Sequence, residues 1–326
     1  MQAGSWMLRS AAAITAVVLL TTAGAAAQQL SEAEIAAFHA RALELLSDRN
    51  YDSKASDHYI VRTDDPRVDV VKVSAFLEGL WKHFDTQLSA LGEIQDQPGK
   101  VEVLLFYSRY KYDRLHEDMR GIGTAGAAGH YRSDLDVIAV HTDAVGPGDL
   151  PGLLSHEAAH HLITHRVYGP ESKGFSRWVN EGLGSYFGYT RMDAKGIFHA
   201  GEIGGQAVSL LRRQPVERAR IPRERLEGFR KLMREAPPGY IDDLVREEMQ
   251  RLFYVEEALE RYTAAWLLVH FLLHGEGGSL GGPFREYIAM EAAGKGGAEP
   301  LYRTLGVSAP ELEAAFAVWV KKLRAR

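Results

Sequence analysis

The chain has 326 residues, with 38 Lys and Arg against 43 Asp and Glu and a net charge of −5. That mild acidity speaks against a nucleic-acid binder, which must meet phosphate with an excess of cations. The absence of cysteine excludes disulfides, thiolate metal ligands and lipid attachment at a cysteine, so the core must hold the fold alone.

Residues 1–27 read as an export signal. Arg9 is their only charge, 10–24 is uncharged and apolar-leaning, and Ala25-Ala26-Ala27 offers a small-residue cleavage site before Gln28. The apolar stretch is short and rich in Ala and Thr, so a cleaved signal and no stable membrane insertion are expected; an uncleaved anchor is the alternative. The expected location is secreted or periplasmic. Ser31-Glu32-Ala33-Glu34 has the capping-box pattern and opens a helix to about residue 46, so 28–57 reads as a helical lead-in on the outside of the domain. His58-Tyr59-Ile60-Val61-Arg62-Thr63 alternates like a strand and ends in the turn Asp64-Asp65-Pro66. Val73, Phe76, Leu77, Leu80, Phe84 and Leu88 give 70–91 a helical period. A turn at Gln97-Pro98-Gly99 leads to an apolar strand over 101–107 and a polar helix over about 108–119, with Tyr107, Tyr110 and Tyr112 expected to pack on the sheet. The glycine-rich 121–129 lacks the lysine or ribose-binding acid of a phosphate loop and reads as a mobile segment beside the active site. Residues 129–131 and 136–141 read as a hairpin.

Gly148-Asp149-Leu150-Pro151 starts the next helix, with proline in the first turn where it is tolerated. It should run to about residue 165, with Tyr168-Gly169-Pro170 as the stop. Inside it stands His156-Glu157-Ala158-Ala159-His160, flanked only by small or apolar residues. Side chains at i and i+4 lie one above the other on a helix. His156 and His160 can therefore hold one metal ion, and Glu157 can reach a water on it as general base. A buried acid needs a partner, and such a water would supply one. Further on, Trp178-Val179-Asn180-Glu181-Gly182 brings a single carboxylate on a second apolar helix. Alone, Glu181 would read as a helix-start acid. After the histidine pair it is the candidate third ligand, because catalytic zinc typically takes three protein ligands and leaves one position open. His161 and His165 lie off the His156/His160 face and read as supporting or surface groups.

These two segments and their spacing resemble the gluzincin zinc metallopeptidases. The resemblance covers roughly 58–275 and is strongest over 127–187. It implies Zn2+ at His156, His160 and Glu181, Glu157 as base, and a peptide or protein substrate that pairs with an edge strand over 127–131. Residues 178–182 are similar to the W-L-N-E-G segment of the aminopeptidase N family. That family carries G-A-M-E-N where this chain has Ala128-Gly129-His130-Tyr131-Arg132, so an aminopeptidase is not expected. The match looks closer to secreted bacterial proteins with a peptidase-like domain of the same clan. The resemblance also makes Tyr262 the candidate oxyanion donor; the alternative is a core tyrosine whose hydroxyl caps or bridges.

After residue 189 the chain reads as mostly helical. Arginines crowd 212–234, but Glu217, Glu224 and Glu227 interleave, which suits a solvated face; an acidic-substrate patch is the alternative. Pro237-Pro238-Gly239 is a break, 262–274 a buried helix in which His270 and His274 read as helix-end residues, and 275–282 a flexible loop. Ser308-Ala309-Pro310-Glu311 caps a final helix with the stripe Leu312, Phe316, Trp319, Val320 and Leu323. The expected class is α+β: a zincin-like half over 58–190 with a small mixed sheet and active-site helix, then a helical half over 191–326. The expected activity is zinc-dependent hydrolysis of peptide bonds. The alternatives are hydrolysis of a non-peptide amide or ester, or a catalytically silent binding protein on the same fold.

Overall fold

Among the described residues five strands form the main sheet, in the order β1 (Asp52–Ala55), β2 (Tyr59–Thr63), β3 (Val101–Phe106), β5 (Val137–His141), β4 (Gly129–Arg132). The β2–β3 and β3–β5 pairs are parallel, and β1 and β4 close the two edges in antiparallel register. The computed structural model describes residues 30–47, 50–88, 99–117, 127–143, 145–168, 176–216, 221–246 and 258–325. The expected export signal and most of the glycine-rich 121–129 lie outside them.

Successive strand residues face opposite sides, and this sequence buries both. Val101, Val103, Leu105, Ile138 and Val140 join the large core under the sheet. Leu104, Phe106, Val137 and Ala139 face a smaller core. Helices α1 (Glu32–Ser47) and α3 (Arg109–Glu117) cover that second face with Phe38, Leu45, Leu46, Tyr112 and Leu115. Helix α1 begins as its capping box dictates, the Ser31 N–H donating to Glu34 at 2.9 Å. Of the three tyrosines expected on the sheet only Tyr112 is buried there; Tyr107 and Tyr110 are exposed.

The large core lies between the sheet and a helical layer. Helix α2 (Val70–Leu88) and the helix carrying the histidine pair, α4 (Leu150–Leu162), lie against the sheet. Helix α5 (Arg177–Tyr189) packs on α4, and α8 (Ala258–His274) packs on α5. Phe271, Phe284, Leu301 and Phe316 from the C-terminal half share this core with Tyr59 and Val103 from the sheet. The remaining α-helices among the described residues are α6 (Ile221–Glu235), α7 (Tyr240–Arg246), α9 (Gly281–Ala292), α10 (Ala298–Leu305) and α11 (Ala309–Lys322). Helix α11 starts on its capping box, the Ser308 N–H donating to Glu311 at 2.8 Å.

Four local expectations change. The stretch 28–57, expected as a helical lead-in, contributes β1 to the main sheet, because Asp52–Ala55 pairs with β2. Helix α4, expected to run to about residue 165, ends as an α-helix at Leu162, and the chain winds on from Ile163 to Tyr168 as a π-helical turn, a wider winding that often marks functional sites. The mostly helical region after 189 opens with a hairpin of β6 (Thr190–Met192) and β7 (Phe198–Ile203). The stretch read as a flexible loop over 275–282 is a short 3-10 turn, Gly275–Gly278, followed by the first turn of α9.

Candidate metal centre

Two helices supply the three candidate ligands, and a glycine lets them meet. A Cβ at Gly184 would stand 3.0 Å from Cε1 of both His156 and His160, so the α5 backbone can approach the imidazoles only with hydrogen there. On the opposite face of α5, a Cβ at Gly182 would lie 2.6 Å from the Ala265 carbonyl oxygen of α8. The close fit of α5 between its neighbours therefore depends on the glycines that follow Glu181.

That fit brings the side chains together. His156 Nε2 and His160 Nε2 are 3.0 Å apart. Glu181 Oε2 stands 3.4 Å from the first and 3.5 Å from the second. All three residues are buried, Glu181 completely. Ligands around a tetrahedral cation with bonds near 2.0–2.1 Å are spaced about 3.3 Å apart, which matches these separations. The donor set of two imidazoles and one carboxylate suits zinc. Both Glu181 oxygens lack an ordinary hydrogen bond among the described residues, and a cation would satisfy them.

The surroundings orient the ligands. Asn180 Oδ1 is 3.1 Å from His160 Nδ1, and Ser185 Oγ is 3.4 Å from His156 Nδ1, so each ring turns its Nε2 inward. Such contacts fix tautomer and ring direction. Arg177, one helical turn before Glu181, places Nη2 3.3 Å from Glu181 Oε1. Burial alone would push the Glu181 carboxyl up, but Arg177 and the facing imidazoles override it and hold it well below the carboxylate range. Burial, then the neighbouring His160, push His156 down to about 4, so it is neutral and can act as a ligand.

Glu157 is fully buried on α4, and neither oxygen has a hydrogen-bond partner among the described residues. Burial pushes it up to about 8; His160 opposes that shift, Glu181 adds to it, and the Tyr131 backbone on β4 opposes it. Tyr262, on the first turns of α8, lines a narrow cleft with His156, Leu153, Ser185, Tyr189 and Arg225. Arg177 bonds its hydroxyl, and burial raises the phenol well above its ordinary range, so it keeps its proton.

No protein-family profile and no curated protein matches this chain. His156, His160 and Glu181 come together, with Glu157 beside them on α4 and Tyr262 at the cleft. His161 and His165 point elsewhere, towards Asp136. Helix α6 is solvated on most of its surface, but Arg225 turns into the cleft, its guanidinium 5.4 Å from the Tyr189 ring centroid. Arg177, Ser185 and Arg225 join the site without a sequence expectation. Arg177 could have been noticed as the one base in an apolar helix, at i−4 from the acid. Arg225 reaches the cleft through tertiary packing alone.

Proposed function

We propose that the chain is a zinc-dependent hydrolase of peptide bonds, of gluzincin type, with His156, His160 and Glu181 as ligands. The observation that carries the reading is the convergence of those three buried donors, none more than 4.8 Å from another, with the unpartnered Glu157 carboxylate on the same helix. Zinc held there supplies Lewis acidity towards a carbonyl and lowers the pKa of a bound water to about 7.

The chain's own side chains account for the rest of the chemistry. Glu157, raised by burial into the range where it can take and give a proton near neutrality, removes one from the attacking water. It then delivers that proton to the departing amine. Tyr262 donates a hydrogen bond to the carbonyl oxygen as negative charge grows on it. Arg177 keeps Glu181 ionised, and Asn180 and Ser185 hold the imidazoles in register. Strand β4 stands at the edge of the sheet with no outer strand partner among the described residues; its four residues are buried, so an extended peptide that adds to it by backbone pairing would do so inside the cleft and not on an open surface. The export signal read over 1–27 fits action on secreted or periplasmic proteins.

Metal analysis of the purified protein comes first, followed by a mass-spectrometric cleavage survey on a peptide library. Glu157→Gln is expected to keep its zinc and lose cleavage. Unchanged cleavage in that variant refutes the assigned base, and zinc far below one per chain refutes the site.

A further inference from the structure

On the other side of α4 a second set of metal-binding side chains comes together. His161 projects away from the first centre, and His165, on the π-helical turn, follows four residues later, a spacing that puts two rings on one side of the winding; their centroids are 5.0 Å apart. Asp136, from the turn joining β4 to β5, reaches both. Its Oδ1 lies 3.0 Å from His165 Nε2 and 3.8 Å from His161 Nε2. The three donor atoms all fall within 4.8 Å of one another, and the two carboxylate–imidazole distances, 3.0 and 3.8 Å, lie on either side of the separation of about 3.3 Å expected around one tetrahedral cation.

The histidine at the bottom of this cluster makes it more than a surface ion pair. His161 is 0% exposed, and neither ring nitrogen has a hydrogen-bond partner among the described residues. Tyr59, Trp81 and Tyr131 wall the ring in with centroids 5.5–6.2 Å away, so no water-filled surface compensates it. A buried imidazole with no partner is costly, and this one has a nitrogen directed at a carboxylate. His165 and Asp136 are partly exposed, which leaves an ion a way in from solvent.

We propose that Asp136, His161 and His165 form a second divalent-cation site, suited to zinc, that fastens the β4–β5 turn to the end of α4. Binding exchanges the hydrogen bonds of His165 Nε2 to Asp136 at 3.0 Å and to the Tyr131 hydroxyl at 2.9 Å for metal bonds, and gives His161 its missing partner. Tyr131, whose hydroxyl donates to Asp136 Oδ1 at 3.0 Å, remains as the group that orients the carboxylate. The site braces β4, an edge strand of the sheet, without touching the first centre's donors.

The test uses the full chain stripped by chelation and titrated with zinc alone, read by native mass spectrometry and by competition with a chromophoric chelator. Wild type is expected to take two ions. Asp136→Asn/His165→Ala and His156→Ala/His160→Ala are each expected to take one, with at least a ~100-fold loss of affinity at the altered site, since orienting contacts alone are worth 10–100-fold. Undiminished uptake by Asp136→Asn/His165→Ala overturns the second site, as does wild type taking a single ion that only the His156/His160 change removes. If the His156/His160 change leaves uptake at two, the first centre fails instead. Should the Asp136/His165 double variant not fold, His165→Ala alone, at a partly exposed ring, reads the same stoichiometry.

Discussion

Adding one methyl group at Gly184 should separate metal affinity from folding. In Gly184→Ala the new carbon would stand 3.0 Å from Cε1 of both ligand histidines and 3.1 Å from His156 Nδ1, whereas ordinary contact begins at 3.4 Å. Both rings must then retreat by about 0.4 Å, because overlap at that range is repulsive. Metal–ligand distances tolerate only about ±0.2 Å, so two of the three donors move by roughly twice what a bound zinc accepts. We expect zinc affinity to fall about 10–100-fold, the range seen when orienting contacts are removed, equivalent to about 1.4–2.8 kcal/mol. The metal-free fold should not share that loss. The displaced atoms are ends of side chains, and alanine in place of glycine favours a helix by roughly 0.5–1 kcal/mol. Chelator competition gives the affinity and a thermal melt of the metal-free protein gives the stability. Wild-type affinity in Gly184→Ala refutes the claim that this glycine sets the ligand positions. So does a metal-free melting point that drops in proportion to the affinity.

Glu157→Gln should cut hydrolysis by about 10²–10⁴-fold, the usual worth of general acid–base catalysis, with zinc content unchanged by metal analysis. Removing Arg177 as Arg177→Met leaves the fully buried Glu181 without its cationic neighbour and should cost about 3–5 kcal/mol in the metal-free protein by urea unfolding, partly recovered on adding zinc; an unchanged midpoint contradicts the pairing. Gly182→Ala drives a methyl into the α8 backbone at Ala265 and should lose about 1–3 kcal/mol, whereas Gly79→Ala, with nothing within 4 Å, should be neutral or stabilising by calorimetry. His83, stacked on Phe198 with its Nε2 lacking a hydrogen-bond partner, is pushed down to about 4 by burial and then by His274. Its folded pKa lies below its unfolded 6.5, so its contribution is complete above about pH 6.5 and is lost as pH falls towards 4. The loss is about 3 kcal/mol at 1.36 kcal/mol per pKa unit. His83→Leu should flatten that limb in urea titrations at stepped pH, and curves that stay parallel to wild type count against it.

Features carried by local pattern were legible in the sequence. The period of α2, the alternation of β2 and the two capping boxes each specify their element from within a few residues. The two helices bearing His156, His160 and Glu181 were legible for the same reason, and their meeting followed from the chemistry of the ligands. What escaped depends on partners far along the chain. Strand β1 is four exposed residues with no apolar face, and only its pairing to β2 makes it a strand. The β6–β7 hairpin follows α5 without a gap, so a helical pattern runs into it; the signal that was present is Asp193, whose carboxylate accepts from the N–H groups of Lys195 and Ile197 around Gly196. The π-helical turn and the inward reach of Arg225 have no short-range signature.

The seating of α5 against α8 sets how this protein can be divided. The glutamate of the candidate centre lies on a helix whose far side is clamped by a segment some eighty residues downstream, at a distance that allows no side chain between them. A fragment ending near Tyr189 would keep every donor atom yet leave that seam open to water, with Glu181 untethered from behind. The motif-bearing half is therefore not a transplantable cassette. Grafting, truncation or domain shuffling has to carry α8 along with it.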